Sequence, residues 1–137
     1  MNTKDNEVEQ NPSPDGELVL QTLTLPKDTN AHGDIYGGWL VCQMDLAAAT
    51  LASRIAEGRT ATVAIESMAF IRPVKVGSVI NCYATVLSTG RSSVTIQIEV
   101  WIKPENSFDL LKVTEGSFVF VAIDQNGRTR PIPEERK

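Results

Sequence analysis

One helical stretch constrains the fold of this chain more than any other feature of the sequence. Residues 39–57 are rich in Ala and Leu and include Met44, all strong helix formers, and Gly58 provides a natural stop. The apolar side chains occupy most of the helix circumference: Leu40, Val41, Cys42, Met44, Ala47, Ala48, Ala49, Leu51, Ala52 and Ile55. A helix that is apolar nearly all round must be enclosed, and a wrapping sheet can enclose it.

The rest of the chain supplies strands for such a sheet. β-type patterns occur at residues 17–25, 60–71, 79–87, 93–103 and 113–123. The fourth segment alternates most regularly, which predicts one core face and one wetter face, whereas the fifth is apolar on both faces and is expected to be central or interfacial. The order of elements predicts an α+β fold, with an antiparallel sheet of about five strands wrapped round one central helix of roughly 27 Å.

Length and charge bound the organisation of the chain. Its 137 residues fit a single domain, for which we expect a flexible tail at residues 1–16, the domain at 17–124 and a charged tail at 125–137. The net charge of -4 offers no basic field for nucleic acid, and no apolar run is long enough to span a bilayer. The N-terminus lacks the apolar core of a signal peptide. We therefore expect no nucleic-acid partner, no membrane partner and a cytoplasmic location.

Several familiar sites are absent from the sequence. The chain has one His, which cannot build a zinc site without several carboxylates, so no metal and no separate cofactor are expected. Cys42 and Cys82 lie in apolar segments and are expected to be buried free thiols, as suits a reducing compartment. No GxSxG elbow, P-loop or dinucleotide fingerprint is present.

Asp45 is the anomaly of the helical stretch. The residues three and four positions away are Val41, Cys42, Ala48 and Ala49, so its own helix supplies no counter-charge. Burying an unpaired carboxylate is costly. From the residues alone, three interpretations remain open: a structural ion pair with a distant Arg, an exposed position, or a reactive carboxylate beside a ligand cleft.

The polar loop at residues 26–38 favours the third interpretation. It contains Asn30 and His32, and it ends in Gly37 and Gly38. Backbone N–H groups at a helix N-terminus are unpaired and electropositive, and they suit a developing oxyanion. For Asn30 the alternative is an Asx turn that stabilises the loop.

The order and spacing of these residues resemble a known family. The run Asn30-Ala31-His32-Gly33-Asp34, then Gly37-Gly38, then Asp45 seven residues on, is similar to the signature of hotdog-fold acyl-CoA thioesterases, in particular the YciA-like branch. The segments at residues 70–77 and 90–93 extend the likeness over about residues 18–123. The resemblance implies a hotdog fold, hydrolysis of acyl-CoA to coenzyme A and a carboxylic acid, and a homodimer at least, with a trimer of dimers in YciA-like relatives.

The resemblance also implies roles for individual residues. Asp45 would be general base or nucleophile, and Asn30, which can come from the other subunit of a dimer, would orient the water or the substrate carbonyl. The backbone amides of Gly38 and Trp39 would receive the oxyanion, with His32 in a supporting part. The coenzyme phosphates would meet residues at turns that bound strands: Arg72, Lys75, Gly90, Arg91 and Ser92.

Other interpretations remain open at this point. The basic residues at turns also fit a solvated sheet rim. The same scaffold could serve a non-catalytic acyl-CoA-binding protein, or an enoyl-CoA hydratase or dehydratase that uses His32 with Asp45.

Overall fold

The computed structural model describes residues 13–104 and 107–134 and contains five strands and one long helix. Strand β1 (Glu17–Leu23) is followed by a 3-10 turn (Pro26–Asp28) and by helix α1 (Gly37–Ala56). The remaining strands are β2 (Thr60–Phe70), β3 (Val79–Thr89), β4 (Ser93–Ile102) and β5 (Leu111–Ala122). The predicted elements are confirmed, and no boundary differs from its prediction by more than two residues.

The five strands form one antiparallel sheet in the order β1-β3-β4-β5-β2. Helix α1 packs on the sheet and contacts all five strands. The core lies between them and includes Met44, Ala48, Ile98 and Phe118, each with no exposed surface. The predicted architecture of one long helix against a five-stranded antiparallel sheet is confirmed, and β5 lies inside the sheet as its two apolar faces predicted.

The helix is less enclosed within one subunit than its sequence predicted. It buries the side that carries Leu40, Met44 and Ala47, but Leu46 on the other side is 56% exposed. Cys42 is also exposed, so the expectation of two buried thiols is correct only for Cys82. The reason is geometric: the sheet of one subunit covers one side of the helix, and the apolar residues of the other side lie open.

The outer face of β4 is drier than the regular alternation predicted. Glu99 and Trp101 are 4% and 1% exposed. The Trp101 indole Nε1 donates to Glu99 Oε1 at 2.9 Å, and the backbone N–H of Asp15 also donates to this oxygen, at 3.2 Å. Burial of this face is therefore possible because the polar atoms pair with each other and with the segment that precedes β1.

Strand β2, at one edge of the sheet, is irregular at two places. Its register with β5 shifts between Thr62 and Ala64, and again between Glu66 and Ala69. At the second shift Ser67 has a φ of 54°, in the left-handed region, and Met68 packs where a Cβ on Gly116 would have to lie. Bulges of this kind re-aim side chains, and the first of them begins directly after Thr62.

The C-terminal segment packs on the domain and does not leave it after residue 124, where the domain was expected to end and the tail to begin. Ile132 is 2% exposed, and its backbone N–H donates to the carbonyl of Arg91 at 2.8 Å. Arg130 Nη1 donates to the carbonyl of Ala56 at the end of α1, at 2.9 Å, and Arg130 Nε donates to Ile123 O at 3.0 Å. Most of the N-terminal tail expected from the sequence, residues 1–12, lies outside the described residues.

Among the described residues, no helix has both the length and the hydropathy needed to cross a membrane.

Candidate active site

Asp45 lies in the middle of α1, between the buried side of the helix and its open side. The side chain is half-buried, and its Oδ1 accepts a hydrogen bond of 2.7 Å from Thr62 Oγ1 on β2. In the part of the chain that the structure describes, no basic side chain pairs with this carboxylate. The interpretation as a structural ion pair is therefore wrong for the subunit, and so is the picture of a fully enclosed, unpartnered acid.

Exposed apolar side chains flank the Asp45–Thr62 pair. Leu46 follows Asp45 on the helix, and Val63 and Ile65 follow Thr62 on the edge strand; they are 56%, 56% and 44% exposed. Single exposed apolar residues are ordinary, but three within three positions of one polar pair favour an interaction surface.

A cleft of about 380 Å³ opens near the N-terminal end of α1. Its polar lining includes Asn30 and Arg72, and its apolar lining includes Leu40, Phe70 and Val74. Asp45 does not line this cleft, because it lies eight residues, about 12 Å, further along the helix than Gly37. The structure therefore brings Asn30 and the helix N-terminus together but holds the Asp45 of the same subunit apart from them.

Asn30 uses only one end of its side chain to shape the loop. Its Oδ1 accepts from the backbone N–H groups of His32 at 2.8 Å and Asp34 at 3.1 Å, which is the Asx turn considered from the sequence. Its Nδ2 amide has no partner among the described residues and lies on an exposed side chain. A ligand can therefore accept a hydrogen bond from this amide while Oδ1 keeps the loop in place. The His32 ring is exposed and has no partner in the same described part of the chain.

The first turn of α1 presents free backbone donors. The N–H groups of Gly37 and Gly38 have no acceptor within the described residues, whereas the N–H of Trp39 donates to Tyr36 O at 3.1 Å. Of the two oxyanion donors predicted from the sequence, Gly38 is thus available and Trp39 is engaged. The additional donor is Gly37, for which the sequence signal was the glycine pair itself.

The two glycines differ in what surrounds them. A Cβ on Gly37 would lie 3.1 Å from Phe70 Cε1, so a larger residue there would have to displace the Phe70 ring by a few tenths of an ångström. A Cβ on Gly38 would meet nothing closer than the Tyr36 ring at 3.7 Å, which is an ordinary contact. Nothing among the described residues requires glycine at position 38, and its missing side chain leaves room for another molecule to approach the backbone.

The residues predicted to bind the coenzyme fall into two groups. Arg72 lines the cleft, and Lys75 forms an ion pair with Asp34, which also lines it. Gly90, Arg91 and Ser92 form the β3–β4 turn, where Ser92 O accepts from Ala122 at the far end of β5. Arg72 N donates to Val113 near the start of β5, so about 30 Å of strand separates the groups within one subunit.

Thr62 is the site residue that sequence reasoning missed. A threonine within a β-type pattern is ordinary, and only the fold shows that strand β2 brings its hydroxyl against Asp45 on the helix. Among the described residues, no group of three or more His, Cys, Asp and Glu side chains could hold a metal ion.

Comparisons with known proteins agree with this architecture. The family model of the thioesterase superfamily matches residues 32–108. The acyl-CoA thioester hydrolase YciA of Salmonella typhimurium is 50% identical over 136 residues, covering 97% of this chain and 98% of that protein. A hexameric thioesterase from Yersinia pestis has a TM-score of 0.85 at 50% identity, over 88% of this chain and 98% of that one. An acyl-CoA hydrolase from Staphylococcus aureus, solved with butyryl coenzyme A and coenzyme A, has a TM-score of 0.78 at 27% identity, over 83% and 70%.

Proposed function

Because the chain belongs to the thioesterase superfamily and is an acyl-CoA thioester hydrolase of the hotdog fold, we propose that Asp45 is the carboxylate that acts on the thioester. Hydrolysis of acyl-CoA is thus favoured over the two alternatives raised from the sequence, a non-catalytic acyl-CoA-binding protein and an enoyl-CoA hydratase or dehydratase. The observation that carries the proposal is the hydrogen bond from Thr62 Oγ1 to Asp45 Oδ1, at 2.7 Å. It fixes one carboxylate oxygen and leaves the other able to take a proton or attack a carbonyl carbon.

The proposed reaction needs one base and one oxyanion site. Asp45 accepts a proton from water as the water oxygen bonds to the thioester carbonyl carbon, and the carbonyl oxygen becomes an oxyanion. The N–H of Gly38 donates to this oxyanion; one such donor contributes roughly 10²–10³-fold in rate in comparable sites. The intermediate then breaks its C–S bond, and the coenzyme A thiolate takes the proton from Asp45. The same groups serve direct attack by Asp45, which expels the coenzyme A thiolate and forms a mixed anhydride that water then hydrolyses. In single-turnover hydrolysis in ¹⁸O-water, label in the protein identifies this route, because water that opens the anhydride at the Asp45 carboxyl carbon leaves its oxygen on Asp45 and the general-base route does not.

The site is completed across two subunits in this proposal. The chain is a homo-oligomer, as are the hexameric relatives. About 12 Å of helix separates Asp45 from the Gly37 end of its own subunit, so Asp45 of one subunit acts at the Asn30 loop and Gly38 amide of its partner. The exposed apolar residues beside Asp45 and Thr62 support pairing through the β2 edge. We propose a homodimer as the working unit, and a trimer of dimers as the full assembly.

Arg72 and the β3–β4 turn receive the coenzyme in this proposal. Arg72 opens on the same cleft as Asn30, and its guanidinium can donate to a phosphate. The Arg91 side chain is exposed and has no partner among the described residues, so it too can meet an anionic group. The separation of the two groups within one subunit fits a long ligand or a site shared between subunits.

The reaction as written uses only acyl-CoA and water. We therefore propose that no metal and no separate cofactor is required, and that turnover is unchanged after dialysis against EDTA. The cytoplasmic location expected from the sequence stays a prediction.

The experiment that tests the role of Asp45 is the variant Asp45→Asn, assayed by thiol release from a panel of acyl-CoAs. Losing a general base lowers kcat by roughly 10²–10⁴-fold. The variant keeps the shape of the side chain, so its thermal unfolding and oligomeric state should match the wild type. Near-normal turnover in a folded Asp45→Asn protein would reject the assignment.

Asn30 can be tested apart from its loop. Asn30→Asp keeps an oxygen that accepts from the N–H groups of His32 and Asp34 but removes the Nδ2 donor. We expect this variant to fold normally and to lose activity. If Asn30→Asp is fully active and Asn30→Ala is not, then Asn30 serves only the Asx turn.

A further inference from the structure

The outer face of the sheet carries two carboxylates in direct opposition. Glu99 on β4 and Glu115 on β5 are register partners, and like charges placed directly opposite are destabilising. Glu99 is 4% exposed, so its charge has little access to water. The arrangement therefore needs a cation between the two strands.

Lys112 supplies that cation. Its Nζ lies 2.7 Å from Glu115 Oε1 and 3.5 Å from Glu99 Oε2, and 5.8 Å from the centre of the Trp101 ring. The hydrogen bond to Glu115 raises the pKa of the Lys112 ammonium, against the lowering effect of partial burial. Lys112 therefore stays charged at assay pH, and its side chain is fixed on three sides.

The backbone at the same point holds Arg72. The β4–β5 register passes from the Val100–Thr114 pair to the Trp101–Lys112 pair, so Val113 is an extra residue on β5. The carbonyl of Val113 accepts from the backbone N–H groups of Ile71 at 2.8 Å and Arg72 at 3.3 Å. The carbonyl of Lys112 accepts from Arg72 Nη1 at 2.7 Å. Two consecutive residues of β5 thus hold both the backbone and the guanidinium of Arg72.

We propose that Lys112 is a positioning residue for Arg72: by joining Glu99 to Glu115 it fixes the bulge at Val113, and the bulge holds the Arg72 guanidinium over the substrate cleft. The inference rests on the proposed role of Arg72 in binding the phosphates of coenzyme A. A long, exposed Arg side chain loses conformational entropy when it binds an anion. A guanidinium already held by the Lys112 carbonyl loses less of it, and its remaining N–H groups can still donate.

A purely structural role for Lys112 predicts a different result. Loss of the ammonium would then weaken the whole subunit and lower turnover of every substrate alike. A positioning role is selective, because only substrates that carry phosphates use Arg72. Comparing butyryl-CoA with the butyryl thioester of N-acetylcysteamine, which has no phosphate, separates the two.

The experiment measures KM and kcat for both substrates in four proteins: wild type, Arg72→Ala, Lys112→Met and Lys103→Met. Lys103 is the matched control, because it follows β4 on the same sheet and loses the same charge, but its Nζ lies over the Phe108 ring. We expect Arg72→Ala to raise KM for butyryl-CoA roughly 10-fold or more. Lys112→Met should raise the KM for butyryl-CoA roughly 3- to 10-fold and leave its kcat unchanged. The KM and kcat for the phosphate-free thioester should also be unchanged. Lys103→Met should change neither KM nor kcat for either substrate.

The double variant gives a second criterion. If Lys112 acts through Arg72, the double variant Arg72→Ala with Lys112→Met has the same KM for butyryl-CoA as Arg72→Ala alone. If the two residues acted independently, the free-energy effects of the two substitutions on KM would add. Should Lys112→Met fold poorly, Lys112→Arg and Glu115→Gln replace it. The first keeps the charge and should be near normal, and the second removes the closest partner of Lys112 and should raise KM for butyryl-CoA alone.

Three outcomes overturn the inference. They are an equal loss on both substrates in Lys112→Met, an additive double variant, and an Arg72→Ala protein that does not distinguish the substrates. The last outcome also removes the coenzyme role of Arg72. The proposed catalytic function fails separately, by normal turnover in Asp45→Asn.

Discussion

The glycine pair that opens α1 allows a prediction with an internal control. Gly37 and Gly38 are adjacent, and replacing either with Ala favours the helix by up to about 1 kcal/mol. Only at Gly37 does the new methyl collide, because a Cβ there would lie 3.1 Å and 3.3 Å from two atoms of the Phe70 ring. Overpacking of this kind costs about 1–3 kcal/mol, and the lower end applies because Phe70 is 54% exposed and can move.

The helix term is common to both variants, so their difference isolates the collision. We expect Gly38→Ala to be more stable than Gly37→Ala by about 1 kcal/mol or somewhat more, or about 3–5 °C in Tm. Although Gly38→Ala is expected to be the more stable variant, its turnover should be low. Its methyl lies where the thioester oxygen approaches the free N–H, and a displacement of about 1 Å can lower the rate about 10²-fold.

Thermal unfolding and thiol release from butyryl-CoA measure the two quantities on the same samples. Phe70→Leu in the Gly37→Ala background should restore the lost stability, because it removes the ring that the methyl meets. A Gly38→Ala protein with normal turnover would contradict the oxyanion role of this amide. A Gly38→Ala protein less stable than Gly37→Ala would contradict the packing argument.

Three further predictions test other parts of the structure. Thr62→Val should lower kcat/KM roughly 10-fold because a charge-assisted hydrogen bond to Asp45 is lost, and Thr62→Ser should retain activity; equal rates for the two variants would contradict the role of the hydroxyl. Burial raises the pKa of the Cys82 thiol from 9.0 to about 12, so the folded state holds this proton more tightly than the unfolded state. The resulting stability is present below pH 9 and is lost between pH 9 and 12; urea unfolding across this range should show a weaker decline in Cys82→Ala than in the wild type. Ser67→Gly should raise stability by about 1 kcal/mol, because Ser67 has a φ of 54°, and an unchanged or lower Tm would contradict strain at this bulge.

Much of the fold follows from short-range patterns that one sequence displays. The period-two alternation of β4 and the dense run of helix formers in α1 are local signals, and both elements lie where they were predicted. The burial of individual side chains is not local. Cys42 was expected to be buried because its segment is apolar, but one sheet covers only one side of a helix, and Cys42 and Leu46 are exposed.

The site was predictable where unusual residue types stand in unusual places. Asp45 was conspicuous as an acid among apolar residues, and the glycine pair was conspicuous before a helix. Thr62 and Lys112 gave no such signal, because Thr and Lys are ordinary on strands. The partner of Thr62 is Asp45, 17 residues away on the helix, and one partner of Lys112 is Glu99, on the neighbouring strand. Long-range pairing of this kind depends on register and bulges, which single-sequence patterns do not encode.

The measurement that tests the central claim most directly is complementation between two inactive variants. Asp45→Asn and Asn30→Asp are purified separately, mixed in equal amounts, dissociated and reassociated. If each site takes Asp45 from one subunit and Asn30 from its partner, random pairing makes half of the dimers mixed, and each mixed dimer has one intact site of two. We therefore predict recovery of about one quarter of wild-type turnover. No recovery in a mixture whose subunits have exchanged would show that both residues act within one subunit, and would contradict the account.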